Sequence, residues 1–343
     1  MQEVRYCVPA LRIPIAALSA SLTGLMFTAC SSGPQAVPSI ANNGIVTRSS
    51  ALRPSAAGFS SGARDAARVF VANDASSGDS VEIYRQRGKD QSPIGVITDG
   101  IYTVWGLFVD KKRTLYACNL DSETVTEYPD DQVIHSKTLN TYPYRPQYVK
   151  VGPDGTVYVS ARPYYKTGTA TVLEFANGST TPTTELSVPN PENYVEGVAV
   201  DTANNLYVAF NADQNDLEVL KFAPGRHRGV NLGIDVKGGA SADVGIDNQG
   251  NPLLGDQNSS SIHVFSRKTR SWRQSNVINV SGDPVAFALN QRNTHIYVAE
   301  VAQHVFEFTY PSGVLIDRIT SGLYANAGVA TNPDVTLNPM LLL

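Results

Sequence analysis

Four acidic residues, Glu196, Asp243, Asp256 and Glu300, sit at matching places in "EGVAVD", "ADVGID", "PLLGD" and "YVAE". If the fold brings them to one mouth, their like charges repel. A divalent cation held by oxygen ligands, Ca or Mg, is a natural way to keep such a group together. That cation would polarise a carbonyl or stabilise an enolate. The same acids without a metal would line a hydrated acidic channel. A second constellation is a pair of expected connecting loops, "TYPYRPQY" (141–148) and "ARPYYKTG" (161–168), which should share that mouth. It offers Tyr142, Tyr144, Arg145, Tyr148, Arg162, Tyr164, Tyr165 and Lys166, and Trp105 in "WGLFVD" adds an indole. Tyrosine and arginine dominate binding hot spots, because they bring area and hydrogen bonds at low entropic cost. The same residues also serve to pack turns.

Other chemistry is thin. The chain has no His-Glu-x-x-His, no phosphate loop and no Cys-x-x-Cys. Its five histidines stand apart. "NADQND" (211–216) lacks the glycine and terminal glutamate of a calcium loop and reads as a hairpin. Cys118 in "LYACN" alternates with strand residues and reads as a buried thiol.

The elements that must position these residues repeat. "RVFVAN", "RTLYACN", "GTVYVSA", "NNLYVAFN" and "THIYVAE" are versions of one strand. Each of the last four, and the weaker version "GNPLLGD" (250–256), follows a short apolar run ending in Asp, Gly or Asn, and these five anchors (Asp110, Gly152, Asp201, Asp247, Asn290) recur every 42 to 49 residues. A third run ("VTEY", "VLEF", "VLKF", "IHVF", "VFEF") and a looser fourth complete each unit. Four short strands per unit of this length predict an all-β, six-bladed β-propeller. The first unit lacks its inner strand, and "NAGVATN" (326–332) supplies one at the far end. The C-terminal strand is therefore expected to complete the N-terminal blade and close the ring without an open edge.

"EGVAVDTANNLYVAFN" with "LEVLKFAPG" resembles the NHL-type repeat, and residues 68–332 are similar to the broader group of gluconolactonase-like and streptogramin-lyase-like propellers. The resemblance implies the fold far more than a function. The gluconolactonase-like group binds its metal through Glu, Asn and Asp from different blades. Carried over, this implies Glu196, Asp243 and Asn119 as ligands.

The N-terminus is a different material. Arg5 and Arg12 precede the apolar run "IPIAALSASLTGLMFTA", which is interrupted by Pro14 and short of the ~20 apolar residues of a membrane span. "FTAC" resembles the lipobox of bacterial lipoproteins, with Phe27 where leucine is usual, and marks Cys30 for lipidation. Ser31 resembles lipoproteins sorted to the outer membrane. Residues 1–29 are thus expected to be a lipoprotein signal peptide, 30–66 a Ser/Ala/Pro-rich tether, 67–335 the propeller and 336–343 a tail. A net charge of −4 gives no basic field for nucleic acid. The expected protein is an extracytoplasmic propeller, lipid-anchored to the bacterial outer membrane and facing the periplasm or the cell surface. It would act as a non-catalytic binding or scaffold module for a protein, peptide or glycan, with no cofactor. The alternative is a metal-dependent lactonase or lyase.

Overall fold

A computed structural model describes residues 67–332 apart from 75–77, 87, 90, 164–169, 189–194 and 213–215. The signal, tether and tail, Cys30 included, lie outside the described residues. Among the described residues, twenty-four strands form six four-stranded sheets. In the first, β1 (Arg68–Asn73), β2 (Ser80–Arg85) and β3 (Gly95–Ile97) follow one another. The second holds β4 (Val104–Val109), β5 (Leu115–Asn119), β6 (Thr124–Tyr128) and β7 (Lys137–Asn140). The third holds β8 (Tyr144–Val151), β9 (Val157–Pro163), β10 (Thr171–Phe175) and β11 (Thr184–Ser187). In the fourth are β12 (Val195–Val200), β13 (Leu206–Asn211), β14 (Asp216–Phe222) and β15 (Val230–Lys237). The fifth comprises β16 (Ser241–Ile246), β17 (Pro252–Asp256), β18 (Ser261–Lys268) and β19 (Ser271–Asn279). The sixth comprises β20 (Pro284–Leu289), β21 (His295–Glu300), β22 (His304–Thr309) and β23 (Leu315–Ile319). The last strand, β24 (Asn326–Thr331), pairs antiparallel with β1 as the inner strand of blade 1. The chain is the six-bladed propeller, closed by its C-terminal strand, that the repeat predicts.

The repeated words have physical causes. Second strands are covered on both faces by neighbouring blades, so they read as unbroken apolar runs: LYACN and PLLGD are buried at every position. Outer strands are covered on one side only, and β15 accordingly alternates between exposed and covered residues along its length. The Asp or Asn after the inner strand of blades 2, 4, 5 and 6 builds a turn into the second strand, while blade 3 has Gly152 there and uses Asp154. Asp201 Oδ1 accepts from the Ala203 and Asn205 N–H groups, both at 2.9 Å. Asp247, Asp110 and Asn290 repeat the arrangement in their own blades. The tyrosine of "LYVA" then reaches the other oxygen, with the Tyr207 hydroxyl donating to Asp201 Oδ2 at 3.0 Å beside the Asn205 amide.

In blade 1 the same anchor closes the ring. Asn332 Oδ1 accepts the Arg68 N–H at 2.5 Å, joining chain positions that a tight turn joins in the other blades. Among the further bonds that cross this seam, the Tyr84 hydroxyl donates to Ser321 O (2.7 Å) and the Tyr297 hydroxyl to Gln86 O (3.0 Å). Apolar clusters fill the interfaces between blades, as Phe70, Ile83 and Ile97 do against Leu107 and Leu115. Around the axis the inner strands come too close for side chains at three places. A Cβ on Gly106, Gly197 or Gly328 would collide with the backbone of the next inner strand, at Gln147, Val244 and Trp105 respectively.

Deleting residues 323–343 removes β24 and exposes the inner edge of β1. Size-exclusion chromatography and calorimetry of the truncated chain should show aggregation and loss of the cooperative unfolding transition. A monomer melting at the parental temperature would contradict ring closure.

Candidate functional site

The 4→1 connections and 2→3 hairpins share one end of the ring, the upper face. Residues that end second strands act there as clamps on the preceding loops. Asn73 Oδ1 accepts the Tyr324 N–H (2.8 Å), Asn119 Oδ1 the Tyr102 N–H (3.1 Å) and Asp256 Oδ1 the Ala240 N–H (2.9 Å). At the next loop, Asn140 Oδ1 accepts the Tyr142 N–H at 3.0 Å. Three tyrosines on three consecutive loops therefore have pinned backbones. Their side chains stand in solvent: Tyr324 is 60% exposed, Tyr102 58% and Tyr142 70%. Acids surround this arc. Asp79 Oδ2 accepts the Thr103 N–H and Asp121 Oδ2 the Thr103 hydroxyl, while Asp74, exposed nearby, has its carboxyl pushed up by partial burial and the charge of Asp79.

The other expected binding residues divide. Tyr142 stands out; Tyr164 and Tyr165 lie outside the described residues. Tyr144 and Arg145 are not in a loop, because blade 3 has an inner hairpin longer than its neighbours and both residues belong to β8. Arg145 stands opposite Arg162 across that hairpin. The Arg145 guanidinium turns to Asp121 of the neighbouring blade at 2.9 Å, and the Arg162 charge acts on Glu196. The Tyr144 hydroxyl reaches across its own blade to Glu185 at 3.0 Å. Trp105 packs in the channel wall against three apolar clusters. Tyr102 and Tyr324 went unread in the sequence, although "GIYTVWG" and "GLYANAG" share one pattern.

Below the upper face the channel is blocked. The Tyr148 side chain is buried and crosses the axis, its hydroxyl donating to Val285 O on blade 6. Around it lie Trp105, Glu196 and Asp243. Burial pushes the Glu196 carboxyl up to about 7, against the pull of Arg162. Burial likewise lifts Asp243 to about 6, partly offset by Lys150 and by the Val244 and Phe287 N–H groups.

The four-acid mouth expected from the sequence does not form. Pairing of Val244 with Leu254 and of Val198 with Val208 puts Asp243 level with Gly197, one place below Glu196. Asp256 faces His263 (3.4 Å) and Ser259 within its own blade, and Glu300 pairs with His304 at 2.5 Å. The implied metal ligands fare no better as a set. Asn119 gives its oxygen to Tyr102 and its amide to Thr126 (3.0 Å), and Asp243 accepts two backbone N–H groups. Among the described residues no three His, Cys, Asp or Glu side chains are grouped to hold a cation. The Glu196, Asp243 and Asn119 positions thus do not fit the implied metal, and no chemistry is routed through it.

No protein-family model matches the chain, and no curated protein matches it significantly. Solved structures do. A Bacteroides caccae protein of unknown function aligns at TM-score 0.58 and 14% identity, over 78% of this chain and 99% of that one. A chain of the nidogen/laminin complex aligns at TM-score 0.63 and 10% identity, over 78% and 99%. A streptogramin B lyase structure matches at TM-score 0.48 and 10% identity, over 66% and 71%. At these identities the first two show the fold.

Glu196 and Asp243 both release their protons at higher pH in the folded chain than in the unfolded one. Stability from these groups is therefore lost as pH rises from the ordinary carboxylate range to the folded values of about 6 and 7. Glu196→Gln should melt a few degrees above the parent at about pH 8, with the gap closing as pH falls toward ~4. A gap that does not depend on pH would contradict the buried, raised carboxyl.

Proposed function

We propose that this protein is a non-catalytic binding module that takes a protein or peptide segment on its upper face. The observation that carries the reading is the arc of Tyr324, Tyr102 and Tyr142, exposed on three consecutive loops whose backbone N–H groups are each held by an asparagine. Pinned loops lose little entropy on binding, which is how preorganisation raises affinity. Tyrosine rings present large amphipathic area, and Asp74, Asp79 and Asp121 beside them favour a segment carrying lysine or arginine, which also stacks on tyrosine faces. A propeller in a complex of two proteins, as in the nidogen/laminin structure, is a precedent for the architecture in such a role. Asp243 already holds two backbone N–H groups beneath the upper face, and the reading rests on the rim. Residues 1–30 support placement outside the cytoplasm, with a lipid on Cys30 tethering the propeller to the outer membrane. On that reading a diacyl or triacyl Cys30 gives stable anchoring.

The test is to pan a random peptide library displayed on phage against the full chain. Enriched peptides should carry basic residues. Tyr102→Ala, Tyr142→Ala and Tyr324→Ala combined should weaken them at least about 30-fold, as one good hot-spot residue of ~2 kcal/mol alone would. The melting temperature should not change. Peptides that bind the triple variant as tightly as the parent, or a failure to enrich any, would overturn the proposal.

A further inference from the structure

The lower end of the channel is a separate compartment. A recess of about 470 Å³ opens there, within the range of small-molecule sites. Its walls are the lower halves of all six inner strands. No residue level with Tyr148 and Asp243 lines it, so it ends blind beneath the plug. The level that shapes it holds one residue from each blade: Phe108, Lys150, Ala199, Gly245, Ala288 and Ala330. Four successive blades thus contribute only Ala or Gly at this level, with the Phe287 ring packed over Gly245, and the other two contribute the large side chains. Those two belong together, with Lys150 Nζ 5.3 Å from the centre of the Phe108 ring.

Lys150 is half-buried, and among the described residues no carboxylate lies within ion-pair distance of its ammonium. Asp243 feels its charge only from further up the channel, where two backbone N–H groups already hold that carboxylate. The other charged groups of the recess, Lys111, Lys112, Asp110, Asp154 and Asp201, lie at its rim. There Asp110, Asp154 and Asp201 accept the N–H groups of their own turns. A sheltered ammonium without a close counter-charge is costly, and an anion that reaches it gains a charge-assisted hydrogen bond away from competing water.

We propose that this recess is a second binding site, for a small monocarboxylate with an apolar body. One cation sets one negative charge. The alanines and the phenylalanine ring set an apolar remainder that lies against Phe108. The site is independent of the tyrosine arc, from which the Tyr148 plug separates it.

Benzoate is the probe, titrated into the full chain by calorimetry, with benzyl alcohol as the uncharged control. Benzoate should bind saturably at one site and benzyl alcohol should not. Lys150→Met, which keeps the length of the side chain, should weaken benzoate at least about tenfold. Ala288→Leu, which fills the opposite wall without touching Lys150, should do the same with an unchanged melting temperature. The triple tyrosine variant should bind benzoate like the parent. No saturable binding at millimolar benzoate, or equal binding by Lys150→Met and Ala288→Leu, would overturn the proposal.

Discussion

Blade 1 draws its inner strand from the opposite end of the chain, and the pairing of β24 with β1 turns a row of five complete sheets and one incomplete sheet into a ring. A row would leave blade faces bare at both ends and an unpaired inner edge on β1. Apolar second strands such as LYACN and LYVAFN tolerate neither, since they are built for cover on both sides. Once the ring is closed, the inner strands are forced toward the axis. The three axial glycines follow from this crowding, and so does the room for one tyrosine to plug the channel.

The plug divides the molecule chemically. Above it, Asn and Asp residues at the strand ends spend their hydrogen-bonding capacity on loop backbones and leave tyrosine rings outside. Below it, Asp and Asn residues at the other end of each hairpin build turns, and the small residues between leave a space with one lysine in it. Tyr148 also links the apolar packing of distant blades. Its contact with blade 6 merges the interface between blades 3 and 4 with that between blades 6 and 1 into one cluster.

The architecture was legible in the sequence because period, anchor residue and strand words repeat together, and because the surplus strand at 326–332 matches the one missing at the start. The site was legible only in part. Asp243 was read level with Glu196 because "SADVGID" lacks the glycine that marks the register in "VEGVAVD"; only the pairing of β16 with β17 fixes it. Asn119 and Asp256 end second strands, where a short polar side chain is as well suited to clamp the preceding loop as to line a mouth, and here each clamps. Tyr144 and Arg145, expected in a connecting loop, lie on β8, which begins directly after Pro143. Lys150 passed as one more strand residue in "QYVKVG". Its position acquires meaning only when the four small residues at the same level of other blades are set around it.

Hydrogen exchange resolved by residue tests ring closure most directly. Strand β24 is a terminal segment by sequence and an inner strand by structure, and these two roles differ in how their amides exchange. If β24 closes the ring, the ladder amides of Gly328 and Ala330 should exchange only through global unfolding, as slowly as those of β12 or β20. Exchange of β24 at the rate of a frayed terminus, while β12 and β20 remain protected, would contradict the account.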